Sequence, residues 1–193
     1  MEQITDAPVV DHFWKNDDLG WISIPKNANM ATRYLLEYYG CKRQHYSQMR
    51  EVKKMLIVLR NPYYRLISGL FESNLRKEFM PWTNVDYGLL LQHLYHNPRD
   101  FDEHVEPQSV FIKNIKFTHI LQFELLNKAF KDIGVFKPKV VDHFIHKEKL
   151  HSSKAGDLRI ILNNNRKWVD RVVEKYYTKD IEVYKNPHSL LKT

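Results

Sequence analysis

Five apolar residues in a row, Met55-Leu56-Ile57-Val58-Leu59, stand between Lys54 and Arg60 and constrain this chain more than any other segment. A run this short, continuous and rich in branched side chains suits a strand covered on both faces, as in the middle of a parallel sheet. Trp21-Ile22-Ser23-Ile24 has the same character. Between the two, Met30, Tyr34, Leu35 and Tyr38 recur at helical spacing and the pattern stops at Gly40, so the order strand, loop, helix, strand predicts a βαβ unit.

Further elements follow the same logic. Pro62 opens a predicted amphipathic helix carrying Leu66, Ile67, Leu70, Phe71 and Leu75. Helices are predicted over 85–96, 124–133 and 166–177, the last with Trp168, Val169, Val172, Val173, Tyr176 and Tyr177 on one face, and a third strand over 117–123. No repeat or linker-like stretch divides the 193 residues, so the chain reads as one domain, 1–193. With 43% apolar and 13% aromatic residues it can build a core, which excludes collagenous, low-complexity and disulfide-stapled classes.

One cysteine, Cys41, cannot form an internal disulfide, and the acidic start of the chain lacks the basic and apolar regions of a secretory signal. No apolar stretch approaches the roughly 18 to 20 residues that cross a bilayer. The expectation is a soluble, cytoplasmic protein with no membrane span. The net charge of +7 is uneven: residues 41–80 carry 9 basic and 3 acidic side chains, against 3 and 6 in residues 1–40. Such a bias suits a phosphate-rich ligand, or simply a solvated surface.

The loop after the first strand, Pro25-Lys26-Asn27-Ala28-Asn29-Met30-Ala31-Thr32, feeds the next helix. There, free N–H groups and the helix dipole favour an anion, and Lys26 adds a full charge. A nucleoside-triphosphate loop of the G-x-x-x-x-G-K-[ST] type is excluded, since no glycine lies between Gly20 and Gly40. Neither paired cysteines nor a helical His-x-x-x-His with a third ligand occurs, so no metal is expected; His143 and His146 read as surface groups.

The loop resembles the 5′-phosphosulfate loop P-K-x-[GA]-x-[ST] of sulfotransferases that use 3′-phosphoadenosine 5′-phosphosulfate (PAPS), with Pro25, Lys26 and Ala28 matching. Arg60-Asn61-Pro62-Tyr63-Tyr64-Arg65-Leu66-Ile67-Ser68 is similar to that family's R-[DN]-P-x-x-R-x-x-S. Glu103-His104-Val105-Glu106-Pro107-Gln108 resembles the E-H-W-x-P-Q of the Golgi carbohydrate sulfotransferases, with Val105 in place of Trp, Leu121-Gln122-Phe123-Glu124-Leu125-Leu126 their K-F-E-x-L step, and the stretch from Tyr176 and Tyr177 through Asp180 to Tyr184 their closing Y-x-x-D motif. The likeness runs over roughly residues 21 to 185.

This resemblance implies an α/β, P-loop-NTPase-like three-layer fold with a central parallel sheet. It implies a PAPS-dependent sulfotransferase acting on an acceptor hydroxyl, of a carbohydrate in that family's manner, with no nucleic acid as partner. Lys26, Asn27, Ala28, Asn29, Met30, Ala31 and Thr32 would hold the 5′ end, and Arg60 and Ser68 the 3′-phosphate. Lys26 would stabilise the leaving oxygen and His104 would be the general base, with Glu72, Glu103 and His45 as open alternatives. The late basic stretch would bring Ser153 and Lys154 over the cofactor, or be a solvated loop. Glu124 and Tyr177, at helix positions, read as packing or capping groups. The chain departs from the family at Met30, where Ser or Thr is usual; Asn29, Thr32 or main-chain N–H groups are the substitutes. The competing readings are a nucleotide-dependent phosphotransferase and a non-catalytic nucleotide- or RNA-binding protein that keeps the fold. Acceptor choice is expected to lie in the loops 79–87 and 97–103.

Overall fold

The computed structural model describes residues 13–45, 52–81, 83–113, 115–146 and 157–191. It is a mixed α/β structure in two compact units. One comprises the described residues of Asp11–Arg60, Ile112–Ser152 and Asn186–Thr193, and the other those of Asn61–Phe111 and Ser153–Lys185.

The first unit holds the sheet. Strands β1 (Phe13–Lys15), β2 (Leu19–Ile22), β3 (Lys42–Gln44), β4 (Lys54–Leu59) and β5 (His119–Gln122) lie in the order β3-β1-β2-β4-β5. The expected parallel core is present: β2 pairs parallel with β4, and β4 with β5. The sheet as a whole is mixed, however, because β1 runs antiparallel to both β2 and β3. Asn16 makes the turn, its Oδ1 accepting from the main-chain N–H groups of Asp18 and Leu19 at 2.9 and 2.8 Å, so the chain folds back into a hairpin before the βαβ unit begins.

Strand periodicity sorts the core. Leu19 and Trp21, Leu56 and Val58, and Leu121 project to one face, where they pack with Leu35 and Leu36 of α1 (Asn29–Tyr38), Leu126 and Phe130 further along, and Val141. Residues of the opposite face of β4, Met55, Ile57 and Leu59, are buried as well, which is why this strand shows no polar alternation in sequence.

The second unit is helical. Helix α2 (Pro62–Lys77) begins where Pro62 predicts, with Asn61 Oδ1 capping the N–H of Tyr63 at 3.0 Å. Helix α3 (Tyr87–His96) is capped by Asp86. A short α4 (Gln108–Phe111) follows. In the sheet unit, α5 (Leu126–Asp132) and α6 (Pro138–Phe144) come next, and the helical unit closes with α7 (Leu158–Asn164), α8 (Arg166–Tyr176) and α9 (Thr178–Lys185). The core of this unit joins Leu66, Ile67 and Leu70 of α2 to Leu90, Leu91 and Leu94 of α3 and Val169, Val172 and Val173 of α8, the α2 and α8 residues being those anticipated from spacing. No helix among the described residues is long and apolar enough to cross a membrane.

Candidate active site

In the sheet unit the residues of interest gather at the carboxyl edge of the parallel strands. After β2 the chain passes through buried Ser23, Ile24 and Pro25 and then makes an unusual turn: Lys26 and Ala28 both take left-handed backbone conformations, with φ of 68° and 60°. Each costs a residue with a Cβ about 1–2 kcal/mol. Such strain persists only where the surroundings over-determine it, and it gathers at ligand sites. Asn27 supplies part of that constraint. It is buried, its N–H bonds the carbonyl of Ile24 at 3.1 Å, and its Nδ2 donates to the carbonyl of Val58 at 2.8 Å.

The loop leads directly into α1. Ala28 occupies the N-cap position and has no side chain to cap with, so the first-turn N–H groups have no acceptor within the helix. One turn on, the N–H of Thr32 bonds Ala28, while the Thr32 hydroxyl is fully buried and finds no hydrogen-bond partner among the described residues. Asn29 Oδ1 is likewise buried without one. Met30 is 67% exposed. The position where the resembled loop pattern carries Ser or Thr is thus an apolar side chain in solvent, and the nearby Asn29 and Thr32 each carry a buried polar atom with no hydrogen-bond partner among the described residues.

Arg60 leaves the neighbouring strand and reaches back to this loop. Only 6% exposed, it donates from Nη1 to the carbonyl of Lys26 at 2.8 Å and lays its guanidinium over Phe123, 4.4 Å from the ring centroid. The lysine loop, the arginine after β4 and the Phe123-Glu124 step after β5 are therefore brought together within one unit. A lysine, an arginine, an uncapped helix start and a buried threonine hydroxyl form a donor set suited to phosphate or sulfate oxygens. Rotation of the Asn29 amide would add its Nδ2.

Ser68 and His104 belong to the helical unit. Ser68 is buried in α2. His104 sits in the segment 103–109, whose backbone is fastened by side chains of other elements. Arg65, fully buried in α2, donates to the carbonyl of Glu106; the Tyr177 hydroxyl donates to the carbonyl of Val105; and Asp180 accepts the N–H groups of Gln108 and Ser109 at 2.7 and 2.8 Å, opening α4. Burial raises the pKa of Asp180 and lowers that of Arg65, each opposing the effect of the other's charge. The second arginine of the R-[DN]-P-x-x-R pattern and the tyrosine and aspartate of the closing motif therefore act here on the backbone of the histidine segment. This is the packing role anticipated for Tyr177.

His104 is 9% exposed and its ring lies beside Asp102, Nδ1 to Oδ1 at 3.1 Å, while Glu103 Oε1 stands 3.8 Å from the same nitrogen. Among the open alternatives, Glu72 is half-buried on α2 and faces Arg76 at 3.6 Å, and His45 is exposed in the sheet unit. Asp102 was missed by sequence reasoning. The spacing of an acid two residues before a histidine is the signal that would have found it. Ser153 and Lys154 lie outside the described residues. His143 and His146 are exposed, as expected, with rings 6.5 Å apart.

Residues 79, 80 and 84–87 help to line two clefts of the helical unit, each of about 570 Å³. One is bounded by Asn84, Asp86, Tyr87, Asp157 and Asn165, the other by Phe79, Met80, Leu89, His93 and His96. Compared with known protein families, curated proteins and solved structures, the chain matches none.

Proposed function

We propose that this protein is a sulfotransferase that moves a sulfuryl group from PAPS to an acceptor hydroxyl, of a carbohydrate by its resemblance to the Golgi enzymes. The observation that carries the reading is the bond from Arg60 to the carbonyl of Lys26, because it unites two phosphate-binding patterns recognised independently in sequence. With the reading goes the three-layer, P-loop-like arrangement of that family and a cytoplasmic setting.

Bound PAPS supplies an activated sulfuryl group: the S–O bond to its 5′-phosphate breaks, the electron pair leaving on the phosphate, as an S–O bond to the acceptor forms. Lys26 stabilises the charge that grows on the departing oxygen, a contribution of about 3 kcal/mol for one preorganised donor. The first-turn N–H groups of 29–31 and the Thr32 hydroxyl hold the 5′ oxygens in place of the missing serine or threonine. Arg60 holds the loop in shape and, with Ser68, serves the 3′-phosphate. His104 accepts the proton of the acceptor hydroxyl.

Calorimetric titration with 3′-phosphoadenosine 5′-phosphate, the product nucleotide, tests this against AMP and ATP. Saturable binding that requires the 3′-phosphate is the expected result. Equal binding of ATP, or none at all, overturns it; salt-steep binding of polyanions would point instead to a nucleic-acid binder.

A further inference from the structure

We propose that Asp102 is a positioning residue for His104, holding the imidazole with Nδ1 protonated so that Nε2 presents the lone pair to the acceptor hydroxyl. The catalytic meaning rests on the sulfuryl-transfer reading; the geometry does not. Oδ1 of Asp102 stands 3.1 Å from both the main-chain nitrogen and the ring Nδ1 of His104. One contact fixes the backbone at the histidine and the other fixes its ring.

A carboxylate can only accept, so the nitrogen facing it must donate, and in a neutral imidazole the other nitrogen is then the base. Asp102 is held in that state. Its burial favours the neutral acid, but bonds from the ring and main chain of His104 and from Ser73 outweigh burial and keep its pKa below the usual carboxylate value. The backbone N–H of Asp102 bonds Ser73 Oγ at 3.2 Å, and Arg76 Nε lies 3.9 Å from Oδ2. Among the described residues, Glu72 stands 3.6 Å from Arg76, and Glu103 approaches Nδ1 to 3.8 Å, too long for a hydrogen bond. Glu103 therefore adds negative potential on the Nδ1 side without competing for the proton. Nε2 has no hydrogen-bond partner among the described residues. The histidine carbonyl is held too, lying against Gly69 of α2 where any side chain would collide with it.

During transfer the proton of the acceptor hydroxyl passes to Nε2, and the resulting imidazolium is stabilised through Nδ1 by the Asp102 carboxylate. The proton then leaves to solvent, restoring the neutral ring.

The test is a two-bond ¹H–¹⁵N correlation spectrum of the full chain labelled at histidine, taken at about pH 8, above the ordinary histidine pKa. The His104 signals are identified by their loss in His104→Gln. The expected wild-type pattern is that of the Nδ1–H tautomer, and Asp102→Ala should shift it towards Nε2–H. In the same variant the affinity for 3′-phosphoadenosine 5′-phosphate should stay within about twofold, while turnover falls by about 100-fold or more. Should Asp102→Ala not fold, Asp102→Asn takes its place with the same expected direction. An Nε2–H pattern in the wild type, or an unchanged pattern in the variant, overturns the proposal. A tautomer that shifts as expected in a protein showing no 3′-phosphate-dependent binding and no transfer overturns the sulfotransferase reading and leaves the positioning intact.

Discussion

Arg60 Nη1 and the carbonyl of Lys26 are joined at 2.8 Å, so the residue leaving one parallel strand braces the loop that leaves its neighbour. The guanidinium that donates this bond also stacks on Phe123, after the third parallel strand. Three strand ends thus share one side chain. Replacing Arg60 with Ala removes a charge-assisted bond and the brace together, and affinity for 3′-phosphoadenosine 5′-phosphate should fall by about 10- to 100-fold. Arg60→Lys should not restore it, because a single ammonium cannot stack on Phe123 and reach the carbonyl with a planar fork. Calorimetry on the two variants reads both effects, and full affinity in Arg60→Lys would rule out the bracing geometry.

The left-handed conformation of Ala28 makes a prediction of opposite sign. Glycine takes φ near 60° without penalty and serves as an N-cap better than alanine. Ala28→Gly should therefore stabilise the protein by about 0.5–1 kcal/mol even after the added freedom of the unfolded chain. Ala28→Val, with a branched side chain in the same conformation, should destabilise it. Urea denaturation midpoints decide the matter, and a loss of stability in Ala28→Gly would show that the turn is not strained.

How far this was legible follows the physics of each element. Strand β4 announces itself because both faces are buried and no polar residue interrupts its apolar run, whereas β2 lies at Leu19–Ile22, two residues earlier than the expected Trp21–Ile24. Helix α8 announces itself because its buried valines repeat along one face. The strands β1 and β3 were not anticipated. Each is three residues long, β3 is Lys-Arg-Gln, and neither owns a pattern that distinguishes it from a loop. Their pairing comes from the Asn16 turn and from neighbouring strands, so the sheet is mixed where a parallel one was expected. The motif residues were found as residues but not always as roles. Arg65 and Asp180 lie within recognised patterns, yet only the fold reveals that both act on the histidine segment.

Gly69 tests that segment independently of any chemistry. A Cβ built there would meet the carbonyl of His104, a backbone atom that cannot turn aside. Gly69→Ala should push α2 and the 103–109 segment apart and cost about 1–3 kcal/mol, the usual range for overpacking. Thermal denaturation should register the loss. A variant as stable as the wild type would mean that the segment does not lie against α2 in this way.

His104 and Asp180 should separate function from stability. His104→Ala is expected to leave nucleotide affinity unchanged while turnover falls by about 100-fold or more. Asp180→Ala strips two buried N–H groups of their acceptor and leaves buried Arg65 without that negative neighbour, which should cost about 3 kcal/mol of stability. Paired measurements of melting temperature and transfer rate distinguish the two. Unchanged turnover in His104→Ala would transfer the role of base to Glu103 or Glu72.

Cys41 predicts how stability changes in alkali. The thiol is 2% exposed in the sheet unit, and burial pushes its pKa up to about 11. In the unfolded chain it ionises near its ordinary value of about 8.5. Between these values the unfolded state has lost a proton that the folded state retains, so ionisation favours unfolding and stability falls as pH rises. The loss should amount to about 2–3 kcal/mol by the time the folded thiol itself ionises. Tyrosines and lysines titrate in the same range, so the informative quantity is the difference between wild type and Cys41→Ala. Urea midpoints of the two proteins should run parallel below about pH 8 and converge or cross above it. Curves that stay parallel throughout would mean that the thiol is not sealed from water in the folded protein.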